Sequence, residues 1–418
     1  MRLHRLAPLV LVCLASGCGG DLCSEDALRD ALNTAPTGTR VEVGDCEVDT
    51  ASGLTVPSGV SLAGSTPSSA VVASGPVALA LSSGATLESL LVRAASAGVS
   101  ASGGSVLRDV TIVGPVTADN AETVGAADGD RVGLLVRDAD DVVLERVSVS
   151  GFADLGVAVV DSDAVRFSDS EITTGLGAAL LVRGGSVDLS GVGIRGMYQG
   201  GRLLPVFGAV FLSTAITSSA LDVCDNEGVG VFQDGGTAVH RGLRVHENAL
   251  AGVWTQRATG FEVSETSSIV SNGGAGLVMI NPMGSHMLTD LVVRDTREIP
   301  ESRGMFASEG VADGVHLVAD DTSSLRVMGV ELDSNARSGM LLHVRGGMVD
   351  VATLVDVTAD AEGAAVGVTA QTPTRAIPSG AWDADVTRTG AALANDVAPD
   401  LLDIFGIVEP MGLPAPPE

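Results

Sequence analysis

The chain is 418 residues long and sets 52 acidic residues against 24 Lys+Arg positions, all of them arginine, for a formal net charge of −28. Such a chain is excluded from holding nucleic acid through phosphate contacts, which need clustered positive charge, and from any reaction that requires a lysine. With 53 glycines, one tyrosine, two tryptophans and eight phenylalanines, its apolar content is carried by Val, Leu and Ala, which suits thin repeated aliphatic layers better than a core anchored by large rings.

Residues 1–17 read as an export signal. Arg2 and Arg5 give a basic start, and the apolar run from Leu6 to Leu14 is too short to span a bilayer as a permanent helix. The run leads into "LASGC", which closes on Cys18 and resembles the cleavage box of bacterial lipoproteins, with Leu14 one position further upstream than the usual pattern. In that family the cysteine is acylated and becomes the new N-terminus. The resemblance therefore implies lipidation at Cys18 and an exported protein anchored to the bacterial outer membrane or cell surface, since several acyl chains anchor stably where one binds marginally. An ordinary signal peptide with an incidental cysteine is the alternative. Export places the remaining thiols in an oxidising compartment. Cys13 leaves with the signal, Cys23 and Cys46 bracket one local unit and are expected to pair, and Cys224 is left as a free, buried, small apolar residue.

Within residues 18–40, a linker and a capping helix, Ser24 can cap a helix whose first turn holds Glu25 and Asp26, and Ala27, Leu28, Ala31 and Leu32 make one apolar stripe. "NTAPTG" ends that helix, "RVEV" alternates as a strand, and "SGLTVPSGVSLAGS" reads as strand, turn and strand. This order resembles the N-terminal entry of the pectin lyase-like right-handed parallel β-helix family, where a short amphipathic helix plugs the open end of the solenoid. The resemblance implies that a Cys23–Cys46 bond staples the plug to the first strand.

Glycine-led strands then recur: "GLLV" at Gly133, "GVAVV" at Gly156, "GAVFL" at Gly208, "GVFQ" at Gly230, "GVWT" at Gly252, "GLVM" at Gly276, "GVHL" at Gly314 and "GMLL" at Gly339. Where the chain is regular the spacing runs from 22 (Gly208 to Gly230) to 25 (Gly314 to Gly339). Asn226, Asn248, Asn272 and Asn335 each precede one of these glycines by 4 positions. This frame also resembles the β-helix repeat, in which stacked asparagines share amide hydrogen bonds. The fold class expected is all-β, a single-stranded right-handed parallel β-helix over 41–370 of about a dozen coils, followed by an irregular C-terminal cap and tail over 371–418.

The period breaks at 115–131, 196–206 and 296–312, each time just before a glycine-led strand, so the three insertions should leave one edge. By strand alternation the outward positions are Leu135, Ala158, Val210, Phe232, Trp254, Val278, His316 and Leu341, and two residues further on Arg137, Asp234, Gln256 and His343. In the glycosidases that the fold resembles, the first of these sets carries the catalytic carboxylates. Here it has none, and the "GHG" and "RIK" signatures are missing, so the two-carboxylate mechanism is not expected. A lyase would need a basic residue, for which Arg137, Arg257, Arg294 and Arg303 are candidates, as are His316 and His343 by their ordinary pKa, each read as an isolated side chain. No cofactor is expected. Calcium stays open at Asp128 and Asp130 and at Asp138, Asp140 and Asp141, although neither run has the spacing of a calcium loop.

The function expected is that of a lipid-anchored, non-catalytic envelope protein binding a polysaccharide or a protein partner along one sheet face. The ligand residues expected are Tyr198, in the second insertion, with Phe232, Asp234, Trp254 and His316. A polysaccharide lyase is the alternative, and a structural spacer the third reading.

Overall fold

The computed structural model describes residues 22–117, 120, 131–199, 206–299, 312–319, 323–336, 338–344, 349–355, 358–359, 366–371 and 386–388. The signal segment with Cys13 and Cys18, the pair Asp128 and Asp130, Arg303, most of each insertion and most of the C-terminal cap lie outside these residues, as does the side chain of His343. Among the described residues none forms a helix long and apolar enough to cross a membrane.

The fold is a right-handed parallel β-helix of about 12 turns with, among the described residues, one helix, Glu25–Thr34. Each coil contributes three short strands, and every strand lies in parallel register on its counterpart one coil away. Arg40–Val43 stacks on Ser61–Gly64, Glu47–Thr50 on Ala70–Ala73, and Leu54–Val56 on Val77–Leu81. Beyond Gly284 the first two strands of a coil fuse into single 11-residue strands, Gly284–Arg294 and Ser323–Asp333, bent at the left-handed residues Asp290 and Gly329. Parallel stacking continues to Val386–Arg388, which pairs with Val366–Gln371, so the ladder enters the segment read as an irregular cap.

One mostly aliphatic core, with Phe152, Phe167, Phe211 and Phe261 among it, fills the coils from Leu28 to Leu342, with inward rows such as Leu180, Ala209, Val231, Val253, Leu277 and Val315. Capping follows the sequence pattern in part. Ser24 accepts a hydrogen bond from the Ala27 N–H at 3.3 Å, but only Leu28 and Leu32 of the stripe are buried, and Ala27 and Ala31 sit half-exposed at its margin. The Glu25 carboxylate ties the plug to the first coil, accepting from Arg29 at 2.5 Å, the Thr50 hydroxyl at 3.0 Å and the Ala51 N–H at 3.2 Å. These donors, Arg29 foremost, hold its pKa down to about 2. The Cys23–Cys46 disulfide is present, with Cα atoms 5.8 Å apart.

The glycines that open the strands are required by close approach. A Cβ on Gly230 would lie 2.6 Å from the Gly252 carbonyl oxygen and 2.7 Å from Asn248 Nδ2 in the next coil. The same holds for Gly252 against Gly276 O at 2.6 Å and Asn272 Nδ2 at 2.9 Å. The asparagines form a buried ladder: Asn226 Nδ2 donates to Asn248 Oδ1 at 2.8 Å, and Asn248 Nδ2 to Asn272 Oδ1 at 2.9 Å. Thr296 takes the next rung. Its hydroxyl is buried without a hydrogen-bond partner, and the amide pattern resumes at Asn335, which donates to the Val293 carbonyl at 3.1 Å.

Candidate functional site

All three insertions leave the solenoid at one corner, between the second strand of a coil and the glycine-led strand. Gln199 and Val206 flank the second, and Ile299 and Ala312 flank the third. The second and third begin later than the spacing suggested. Gly193–Tyr198 is a strand, continuous through the left-handed Gly196, stacked on Glu171–Leu176, so Tyr198 belongs to the solenoid corner and not to the loop. Residues 296–299 likewise continue the coil, with Arg297 bridged to Gly273 and Ile299 buried.

The outward register of the glycine-led strands is as the alternation predicts, but that face is closed to solvent. Leu135, Ala158, Val210, Phe232, Trp254 and Val278 belong to a second apolar cluster, separate from the interior, with Phe232 1% and Trp254 2% exposed. Pairing skips each opening glycine, for example Ala251 to Ala275 and then Val253 to Leu277. This irregularity turns the residue before the glycine outward too, so Val132, Leu155, Ala178, Phe207, Val229 and Ala251 join the same cluster. Phe207 and Phe232 pack at a ring-centroid distance of 5.5 Å. A sheet with so many apolar outward positions per strand cannot stay open to water. Phe232 and Trp254 do stack in adjacent coils, as expected, but as parts of an outer core and not as an exposed platform.

The same skipped glycine corrects the reading of His316 as isolated. Asp313 and His316, which simple alternation would set on opposite faces, share the outer face with His316 Nδ1 3.1 Å from Asp313 Oδ2 and both side chains fully buried. The buried Ser338 lies beside Asp313 in register, its hydroxyl donating to the Met340 carbonyl at 3.0 Å. The pair has the composition of an acid–base dyad, but both side chains are fully buried. An Asp-x-x-His spanning a strand-opening glycine was the signal available in the sequence.

The remaining candidates are scattered. Asp234 is held by Arg257, whose Nε donates at 2.9 Å, and that carboxylate keeps the guanidinium above its ordinary pKa. Arg294 lies 3.7 Å from Asp295, and Arg137 is half-buried at a strand end. Cys224 is unpaired, as expected, but it projects from an outer face, half-buried between Arg195 and His246. Burial and the neighbouring Asp225 and Asp222 push its thiol up to about 12, which leaves it inert at neutral pH. Among the described residues no group of three His, Cys, Asp or Glu side chains could hold a metal ion. Asp138 and Asp141 are left-handed turn residues, and Asp140 accepts from the Asp163 N–H at 2.9 Å.

What the structure does assemble is the insertion-bearing edge. Tyr198, half-buried, packs against Val116, Ala153 and Leu176, so the roots of the first two insertions meet there. Ile299, the root of the third, is locked into the outer apolar cluster. One corner row connects them: Glu227, Ala249, Gly273 and Arg297 each donate their backbone N–H to the carbonyl before the preceding row member, beginning at Met197 beside Tyr198.

No protein-family model matches the sequence, and no curated protein does. Solved structures do. The A-module of the Azotobacter vinelandii mannuronan C-5 epimerase AlgE4 matches at 15% identity and a TM-score of 0.49, covering 89% of this chain and 96% of that one. The enzymatically active domain of tailspike protein 2 from bacteriophage CBA120 matches at 13% identity and a TM-score of 0.50, covering 75% of this chain and 46% of its own, so this chain spans under half of that tailspike chain. At such identities the likeness is one of architecture: the chain has the right-handed parallel β-helix fold of the pectin lyase-like proteins.

Proposed function

We propose that the protein is a lipid-anchored envelope β-helix that binds a neutral polysaccharide, without chemical turnover, along the edge from which its three insertions emerge. The carrying observation is the outer apolar cluster. It extends from Val132 to Val318, the coils that the insertions flank, and takes in the root residue Ile299. In an earlier coil the equivalent outward residue, Thr55, is exposed. Burying that much apolar surface outside the solenoid is worth having where an added structure must be held rigidly, and rigidly mounted loops are where binding residues concentrate. Binding without turnover is supported by the outward row itself: among the described residues it is mostly aliphatic and aromatic, and its acid–base pair, Asp313 and His316, is fully buried. Neutral glycan is favoured because a chain of net charge −28 repels a polyuronate over a Debye length. Fold likeness to polysaccharide-active proteins does not by itself transfer an activity.

The test is affinity electrophoresis of the mature chain through neutral and acidic polysaccharides, with the Tyr198→Ala variant alongside. Retardation by a neutral glycan, weakened about tenfold in the variant, is the expected outcome, on the scale of about 1.4 kcal/mol for truncating a partly buried ring. Release of reducing ends or of unsaturated uronates would replace binding by catalysis, and retardation by no glycan would remove the reading altogether.

A further inference from the structure

A groove of about 420 Å³ opens on the same corner, at the root of the third insertion, between Ser271, Asp295, Arg297, Glu298 and Ser334. Ser271, Asp295 and Ser334 are the left-handed turn residues of three successive coils, with φ of 59°, 55° and 52°. The stacked turns therefore set a rigid wall of short polar side chains. Neither Arg297 nor Glu298 has an ion-pair partner among the described residues, and both are exposed at the mouth.

We propose that this groove is a subsite for one ring of an uncharged, hydroxyl-rich sugar, which rests on the polysaccharide reading above and locates its contact. A hexose both donates and accepts through its hydroxyls. The lining offers acceptors in the Asp295 and Glu298 carboxylates, donors in Arg297, a Ser271 hydroxyl that can do either, and a Ser334 hydroxyl that, already donating to Asp333 Oδ1 at 2.9 Å, can accept. A uronate or phosphate would face two carboxylates with Arg297 as the one guanidinium of the lining, Arg294 being drawn to Asp295 at 3.7 Å, and among the described residues a cation would find no third acidic ligand. The groove also lies in line with Tyr198. The corner row climbs from Tyr198 through Glu227, Ala249 and Gly273 to Arg297 in four coil steps. At about 4.8 Å per step this separates the two sites by roughly 19 Å along a track of mostly small residues. A polymer laid along the solenoid axis would touch both.

Isothermal titration of the full mature chain with cellohexaose, maltohexaose, mannohexaose and, as the charged control, oligogalacturonate tests the assignment, using the exposed-residue variants Arg297→Ala and Glu298→Ala. The expected result is binding of a neutral hexaose that each variant weakens about tenfold, with unchanged circular dichroism and melting. If the wild type binds a neutral hexaose, Tyr198→Ala weakens it and both groove variants stay within twofold of wild type, the subsite is wrong and the edge reading stands. Binding of oligogalacturonate alone overturns the assignment of an uncharged ligand. Binding of none of the four removes subsite and function together.

Discussion

Acidification to about pH 4 is expected to cost the folded chain about 3 kcal/mol through one side chain, His240. The imidazole lies inside the solenoid, fully buried, between Phe211 and Phe261 at ring-centroid distances of 6.3 and 5.6 Å. Its Nδ1 shares a 2.7 Å hydrogen bond with the buried Ser218 hydroxyl, and Nε2 is buried with no hydrogen-bond partner. Desolvation lowers its pKa from 6.5 to about 4. As the pH falls through 6.5 the unfolded chain takes up a proton that the folded chain refuses until about 4, so this contribution is complete above 6.5 and is lost across that window. At about 1.4 kcal/mol per unit the interval gives the figure stated. His286, also buried and lowered by desolvation, steepens the same slope. The informative perturbation is the double variant Ser218→Ala, His240→Leu, which removes the titration without leaving the Ser218 hydroxyl orphaned. Urea unfolding of both proteins at about pH 7 and about pH 4 should show the wild type losing about 3 kcal/mol more than the variant, because carboxylate effects such as those of Asp109 and Glu145 are common to both. Equal losses, or a folded-state imidazole resonance of His240 titrating near 6.5, would refute the reasoning.

Three further outcomes follow from the packing. Thr296→Asn should restore the missing ladder rung and stabilise the chain by about 1 kcal/mol, the net value of one buried hydrogen bond, read as a raised denaturation midpoint. Trp254 should resist iodide quenching, and Trp254→Ala should destabilise by about 3–5 kcal/mol as a cavity in the outer core, with glycan affinity changing only as the fold does. Replacing both Cys23 and Cys46 by serine should cost about 3 kcal/mol, the loop-closure value for a separation of 23 residues, and raise amide exchange first in the plug helix.

The solenoid was legible because its pattern is local and repeated. Asparagine 4 positions before a glycine, followed by alternating apolar residues, marks a corner wherever it occurs. Outward orientation of Phe232 and Trp254 followed from parity alone, but their burial did not, because parity says which face a side chain takes and nothing of what covers the face. The pairing of Asp313 with His316 was hidden by the glycine between them, which the ladder skips, shifting the parity of everything before it. Tyr198 was placed in a loop because the period counts residues and does not see that a strand can run on through a left-handed glycine, here Gly196 at φ 71°. The groove at Arg297 gave no sequence signal, since its walls come from three coils and only stacking brings them together.

Gly208, Gly230, Gly252 and Gly314 each make room for the asparagine of the following coil and not of their own. Damage at one such glycine therefore spreads along the ladder. A side chain introduced at Gly230 strikes Asn248, whose displaced amide would release both neighbours, since Asn226 donates to it and it donates to Asn272. Toward the C-terminus the side-chain ladder ends at Thr296, which accepts no bond from Asn272 and so has none to lose. The rung that weakens the ladder also ends the relay of side-chain amides, leaving the backbone bond from the Arg297 N–H to the Asn272 carbonyl as a link to the groove.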